Sequence, residues 1–134
     1  MRRQVLYRGK CGKKWIEGDY ITANLIKGIG TKNLEVFPVK PETVGMLIPG
    51  KTDKNGKRIF EDDILHFKDD EIGGEEYDIV YYDENMASFL LKGSESSMPI
   101  DMEDLSGFEV VGNVWDNPEL LVHFEKWGYG NNGK

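Results

Sequence analysis

Thr52-Asp53-Lys54-Asn55-Gly56-Lys57-Arg58-Ile59-Phe60-Glu61-Asp62-Asp63-Ile64 is a turn running directly into a strand, and it sets the fold. Asn55-Gly56 is a tight-hairpin dipeptide, because such turns need backbone at positive φ. Asp53 offers a side-chain acceptor to the N–H groups of the same turn. Ile59-Phe60 and then Ile64-Leu65-His66-Phe67 continue the chain as strand, with Glu61-Asp62-Asp63 as an acidic step between them. Nothing in this stretch is a catalytic set.

The same grammar of short apolar runs punctuated by turn residues extends in both directions, an all-β pattern. Upstream, strands are expected at Val5-Leu6-Tyr7, from Trp15-Ile16 through Asp19–Ile26, at Leu34–Val39 and at Thr43–Ile48. Lys10–Lys14 and Gly28–Thr31 read as turns, Pro38 demands an edge or a strand end, and Pro49-Gly50 reads as a stop. Downstream, Tyr77–Tyr82 is the clearest strand, Asp83-Glu84-Asn85 turns it into Ala87–Leu91, and Glu109–Trp115 is the last strand. Residues 92–107 are polar and small, with one short helical turn expected near Met102–Leu105. Asn117 as N-cap, Pro118 at the first helical position and Glu119 at the positive end of the dipole predict a short C-terminal α-helix over about 117–127. The expected architecture is mainly β: an N-terminal β meander over 1–50, an SH3-like small β-barrel over 51–115 and the helix, together one domain over 1–134.

The chain has 39% hydrophobic and 31% charged residues, a balance that folds rather than staying disordered. Its net charge of −7 disfavours sequence-independent binding to phosphate backbones. That charge is unevenly spread. Residues 1–14 hold Arg2, Arg3, Arg8, Lys10, Lys13 and Lys14 with no acid, a local +6. Residues 61–84 hold eleven acids against Lys68 alone, a local −10, with Glu61, Asp62, Asp63, Asp69, Asp70 and Glu71 at the front. Opposed patches of this kind steer association or favour head-to-tail docking. The single cysteine, Cys11, excludes an internal disulfide. No apolar run approaches the roughly 20 residues of a membrane span. Arg2 and Arg3 lack the apolar run of a secretory signal, so a cytoplasmic location is expected.

Three segments together resemble the YopX family of bacteriophage and prophage proteins. Trp15-Ile16-Glu17-Gly18-Asp19 is similar to its W-x-x-G-D element. Pro41-Glu42-Thr43-Val44-Gly45 followed by Asp53–Ile64 is similar to its central signature, and Glu109–Leu121, ending in Asn117-Pro118-Glu119-Leu120-Leu121, to its closing element. The likeness spans residues 1–121. The chain departs from the pattern at Asp62, where the family usually carries Gly, and at Met46–Gly50, where a Q-x-T-G-like run is usual and this chain is one residue longer. The resemblance implies a small, mainly-β accessory protein of a phage or prophage in the bacterial host cell. It brings no catalytic or metal-binding set with it.

The residues themselves point away from catalysis. Cys11, His66 and His123 are the only His or Cys candidates and none sits at metal-ligand spacing. A calcium loop centred on Gly56 would open with Lys51 in place of an acid. Gly128–Gly133 matches G-x-G-x-x-G without the strand and helix that give that motif meaning. Asp69-Asp70-Glu71 and Glu103-Asp104 are paired carboxylates in turns, where solvation explains them, and neither histidine is fixed beside a nucleophile. Lys10, Lys13 and Lys14 around Cys11 could lower its pKa, although an ordinary thiol is the commoner case. No catalytic residue, cofactor or metal is expected. The expected function is a non-enzymatic interaction role with a host or phage protein, or self-assembly into a homo-oligomer, through the twelve charged residues named above. The alternative is a nucleic-acid role: binding through the basic N-terminal segment, or mimicry of DNA by the acids of 61–84.

Overall fold

The computed structural model describes residues 6–22, 24–28, 35–69, 73–93 and 97–127. They are mainly β, with eleven strands among them. The chain divides into two compact units, residues 1–50 and 51–134. Arg2, Arg3, Asp70 and Glu71, and the expected turn at 29–31, lie outside the described residues.

In the first unit β1 (Tyr7–Cys11), β2 (Lys14–Thr22), β3 (Leu25–Gly28) and β4 (Val36–Pro38) form an antiparallel meander. Then β5 (Gly45–Thr52) returns antiparallel to β1, with Tyr7 opposite Met46. Pro38 ends β4, where its missing N–H costs no ladder bond. Ile16, Ile26 and Val39 form the core, with Tyr7, Phe37 and Val44 against it. Three expectations are corrected. The single strand expected over Asp19–Ile26 is broken, because β2 ends at Thr22 and β3 starts at Leu25, pairing back antiparallel with Thr22 opposite Leu25. The strand expected from Thr43 starts only at Gly45: Thr43 closes the 3-10 turn Pro41–Thr43, because its hydroxyl donates to the Lys40 carbonyl and accepts from the Lys10 N–H. Pro49-Gly50 does not stop the strand: Gly50 sits at φ +76 and β5 runs on to Thr52.

In the second unit β7 (Asp63–Asp69), β8 (Gly74–Asp83), β9 (Ser88–Lys92), β10 (Ser97–Pro99) and β11 (Phe108–Asn113) form one antiparallel sheet in the order β10-β9-β8-β7-β11. The short β6 (Arg58–Phe60) precedes it. Among the described residues β10 and β11 are the two edges of this sheet, and the mainly-β expectation holds.

The register sorts side chains by period two. Ile64 stands opposite Ile79, and both pack with Phe124, Leu120 and Leu121 on one face. Leu65 stands opposite Asp78, and Val80 opposite Leu91, on the other. Val111 is the extra residue of a bulge in β11, between the pairs Val110–Leu65 and Gly112–Ile64.

The terminal segment, Pro118–Trp127, is helical as expected, but its turns are 3-10, with a kink at Phe124 (φ −125, ψ 24). Tight three-residue turns stack positions i and i+3. Leu121 and Phe124 have that spacing, which aligns them over Ile64 and Ile79. Asn117 does not cap this segment with its side chain. Its Oδ1 accepts the Asn113 N–H at 3.1 Å, and only its carbonyl serves Leu120.

The turn at Asp53–Gly56 ends in a left-handed glycine. Gly56 N–H donates to the Asp53 carbonyl and Asp53 N–H to the Lys57 carbonyl. Gly56 takes φ +78, whereas Asn55 is not at positive φ, so of the Asn-Gly pair only the glycine supplies the left-handed backbone. Asp53 is buried, and its carboxylate accepts three backbone N–H groups: Asn55 and Lys57 on Oδ1 and Val110 on Oδ2, all within 2.8–2.9 Å. Burial alone would push this carboxyl up, but those donors and the Lys57 charge hold it below its ordinary value.

Replacing Gly56 by Val should cost about 1–3 kcal/mol of stability, since a branched side chain resists positive φ. Urea denaturation checks it, and a variant that unfolds with its parent refutes the turn geometry. Asp53→Ala strips three N–H groups of a charged acceptor and should cost about 2–4 kcal/mol in the same assay.

Candidate functional site

Of the twelve charged residues expected to form an interaction surface, several serve the scaffold instead. Arg8 is buried, with its guanidinium 4.4 Å from the centre of the Trp15 ring, so its charge is not on the surface. Lys10 lies over the same ring at 5.5 Å and is half-buried, while Lys13 and Lys14 are exposed at the β1–β2 turn. Asp63 is buried, and its Oδ2 accepts the Phe60 N–H at 2.8 Å. These two, Arg8 and Asp63, are withdrawn from the expected surface, because a side chain at a core position has no solvent face. Glu61 is half-buried, and the backbone of Asp69 ends β7.

Asp62 explains its departure from the family pattern. It sits at φ +75, a conformation that favours glycine and that Asp tolerates better than branched residues. Its N–H donates to the Val80 carbonyl, its own carbonyl accepts from Val114, and its Oδ2 accepts from the Trp115 indole at 3.2 Å. The closing element is built the same way. A Cβ at Gly112 would fall 2.3 Å from Asn117 Oδ1, so only glycine lets that amide reach the Asn113 N–H. Asn113 Oδ1 in turn accepts the N–H groups of Trp115 and Asp116.

The two histidines come together, which their positions in the sequence did not announce. Tyr77 lies between them, with ring centroids 4.8 Å from His66 and 3.9 Å from His123, the latter a parallel stack. His66 Nε2 is 2.9 Å from Glu75 Oε1, and this hydrogen bond holds the exposed Glu75 below the usual carboxylate range. The His123–Tyr77 stack seats the terminal segment on the sheet.

One group of acids behaves differently. Glu76 and Asp78 are two residues apart on β8 and therefore share a face, and Glu103 follows the 3-10 turn Ile100–Met102. These three carboxyls, with Leu91, Ser97 and Met98, line a cleft of about 190 Å³ in the second unit. Asp78 is 2% exposed, and no N–H group or hydroxyl of the described residues donates to its Oδ2. Burial, a hydrogen bond shared with Glu76, and the charges of Glu76 and Glu103 together push the Asp78 carboxyl up to about 8. At neutral pH Asp78 is thus largely protonated between two acids. Lys51 approaches this end of the unit, but its Nζ donates to the Glu103 carbonyl at 2.6 Å. In the sequence alone Glu103 reads as a solvated turn residue and Asp78 as part of a strand. The available signal was alternation, which puts Asp78 on the same face of β8 as the fully buried Val80. Among the described residues no group of three or more acids, histidines or cysteines could hold a metal ion.

Asp78 gives the fold a distinctive pH dependence. Its proton is kept on folding at pH values where the unfolded chain, titrating near the ordinary 3.8, has released it. Folding then takes up a proton, so stability falls as pH rises from about 4 to about 8 and levels off above. Asp78→Asn removes the titration while keeping the shape. Melting temperatures across about pH 5 to 8.5 should decline more steeply for the parent than for Asp78→Asn, and parallel curves would refute the assignment.

No helix among the described residues is long and apolar enough to cross a membrane. No curated protein and no solved structure matches the chain. The family model described as YopX protein matches residues 6–122, nearly the whole length, and takes in all three signature segments. The chain belongs to the YopX family.

Proposed function

We propose that this protein is a non-enzymatic phage or prophage accessory protein of the bacterial cytoplasm that acts by protein–protein recognition, either with a host or phage partner or as a homo-oligomer. The observation that carries this reading is where the signature's polar side chains go. Asp53, Asp62, Asn113 and Asn117 hydrogen-bond to the chain's own backbone or to Trp115. Several large apolar side chains also turn outward: Met86 and Val122 are each 57% exposed, Met98 43% and Trp115 38%. Met98 lies on β10 and Val111 on β11, the two edge strands of the second sheet, and open edges are ready docking surfaces. The nucleic-acid alternative loses support, since Arg8 leaves the basic segment's surface and Asp63 and Asp78 leave the acidic one.

Light scattering at about 10 µM, in low and in high salt, tests the oligomer; specific association in the micromolar range should show there. A mass above that of the 15.3 kDa chain, or a partner recovered from bacterial host extract, is the expected result. A monomer at both salts that recovers nothing overturns the reading, and a DNA gel shift at low salt would replace it with nucleic-acid binding.

A further inference from the structure

The cleft at Glu76, Asp78 and Glu103 is short of one thing, a positive charge. We propose that it binds an organic cation, a guanidinium or ammonium group carried on a short apolar stem. Asp78 Oδ2 is the reason. Asp78 is buried at the cleft, the hydrogen bond it shares is with another acid, Glu76, and no N–H group or hydroxyl of the described residues donates to Oδ2; a buried carboxyl oxygen among acids costs stability that a bound donor would restore. The surrounding charges have the sign that attracts such a group. Glu76 and Glu103 are both acidic, and the nearby Lys51 ammonium is turned to the Glu103 carbonyl at 2.6 Å. Leu91 and Met98 supply apolar wall for a methylene stem, and the Ser97 hydroxyl is a further acceptor.

Size narrows the occupant. A cleft of about 190 Å³ falls below the roughly 300–1,000 Å³ of sites for drug-sized ligands and suits one side-chain-sized group. A divalent ion is the poorer fit, because the described acids do not form a metal-ligating group. A guanidinium can serve two carboxyl groups at once through its planar fork of N–H donors. Protonated at neutral pH, Asp78 must ionise to pair with the cation, so binding expels a proton.

Agmatine is the probe for the free cation, and a blocked Gly-Arg-Gly peptide is the probe for an arginine side chain. Isothermal calorimetry at pH 7, in two buffers of different ionisation heat, reads affinity and proton release together. The expected result is one site with Kd in the region of 1 mM, ~4 kcal/mol of binding, with up to about one proton released. Asp78→Asn, which keeps the shape and the neutral state, should weaken binding about tenfold or more and abolish the proton release. Glu103→Gln should weaken binding while leaving part of the release. Tighter binding of the peptide assigns the cation to a protein partner, and tighter binding of agmatine assigns it to a free amine; either supports the proposal. No heat with either probe up to about 10 mM overturns it, as does Asp78→Asn binding as tightly as the parent. The inference stands apart from the protein-recognition reading, for a monomer that captures no protein yet binds agmatine would keep the one and end the other.

Discussion

The Asp53 carboxylate is the constraint on which the second unit depends. A carboxylate at a buried position is costly unless donors replace the water it loses. Here three backbone N–H groups do so, two from the turn that follows it and one from Val110, 57 residues away. The local pair fixes the turn, with Gly56 in the left-handed region. The distant one fixes where β11 lies against that turn, just before the bulge at Val111. Lys54 N–H adds a backbone bond to the Phe108 carbonyl at 2.8 Å, at the start of the same strand. A single side chain thereby ties a local contact to a long-range one, and the register of β11 with β7 is set at its beginning.

The same logic runs through Asp62 and Asn113, and it explains why the central and closing segments of the signature belong together. Asp62 meets Val114 and Trp115 of the closing segment through its carbonyl and carboxylate. Asn113, Gly112 and Asn117 then fold the chain back from β11 into the terminal segment, whose Phe124 closes the core over Ile64 and Ile79. The signature thus describes one corner of the fold. Glycine at position 62 would relieve the positive φ; aspartate keeps the strain and gains an indole donor in return.

Much of this corner was legible in the sequence, because its information is local. The turn, the strands of β7 to β9 and the helical character of the last segment each follow from a few adjacent residues. What was not legible depended on the third dimension. Asn-Gly specifies a tight turn but not which of its members takes positive φ; here the Asp53 carboxylate gathers the Asn55 and Lys57 N–H groups and leaves the left-handed position to Gly56 alone. A run of charges reads as a solvated face until register shows that Asp63 points inward to the Phe60 N–H. Arg8 reads as part of a basic patch until it is found beneath the surface against Trp15. The cleft is the extreme case. Glu76 and Asp78 are neighbours on one strand face, but Glu103 reaches them only through the irregular stretch after β10.

Three buried carboxyls in one small unit make the physical contrast plain. Asp53 and Asp63 accept backbone N–H groups, and each holds a turn in place. Asp78 has no such donor at its Oδ2 and shares its end of the sheet with two more acids. The residue type is the same, but the stability consequence is opposite, because desolvation is offset in the first two and left standing in the third. Asparagine would keep the shape at position 78 without the titratable charge, and an apolar residue would extend the surface of Val80 and Leu91. Folding therefore has no need of an acid there. An arrangement that works against the fold, beside the buried Asp53 and Asp63 that support it, is where a binding role is the more economical physical reason for the residue.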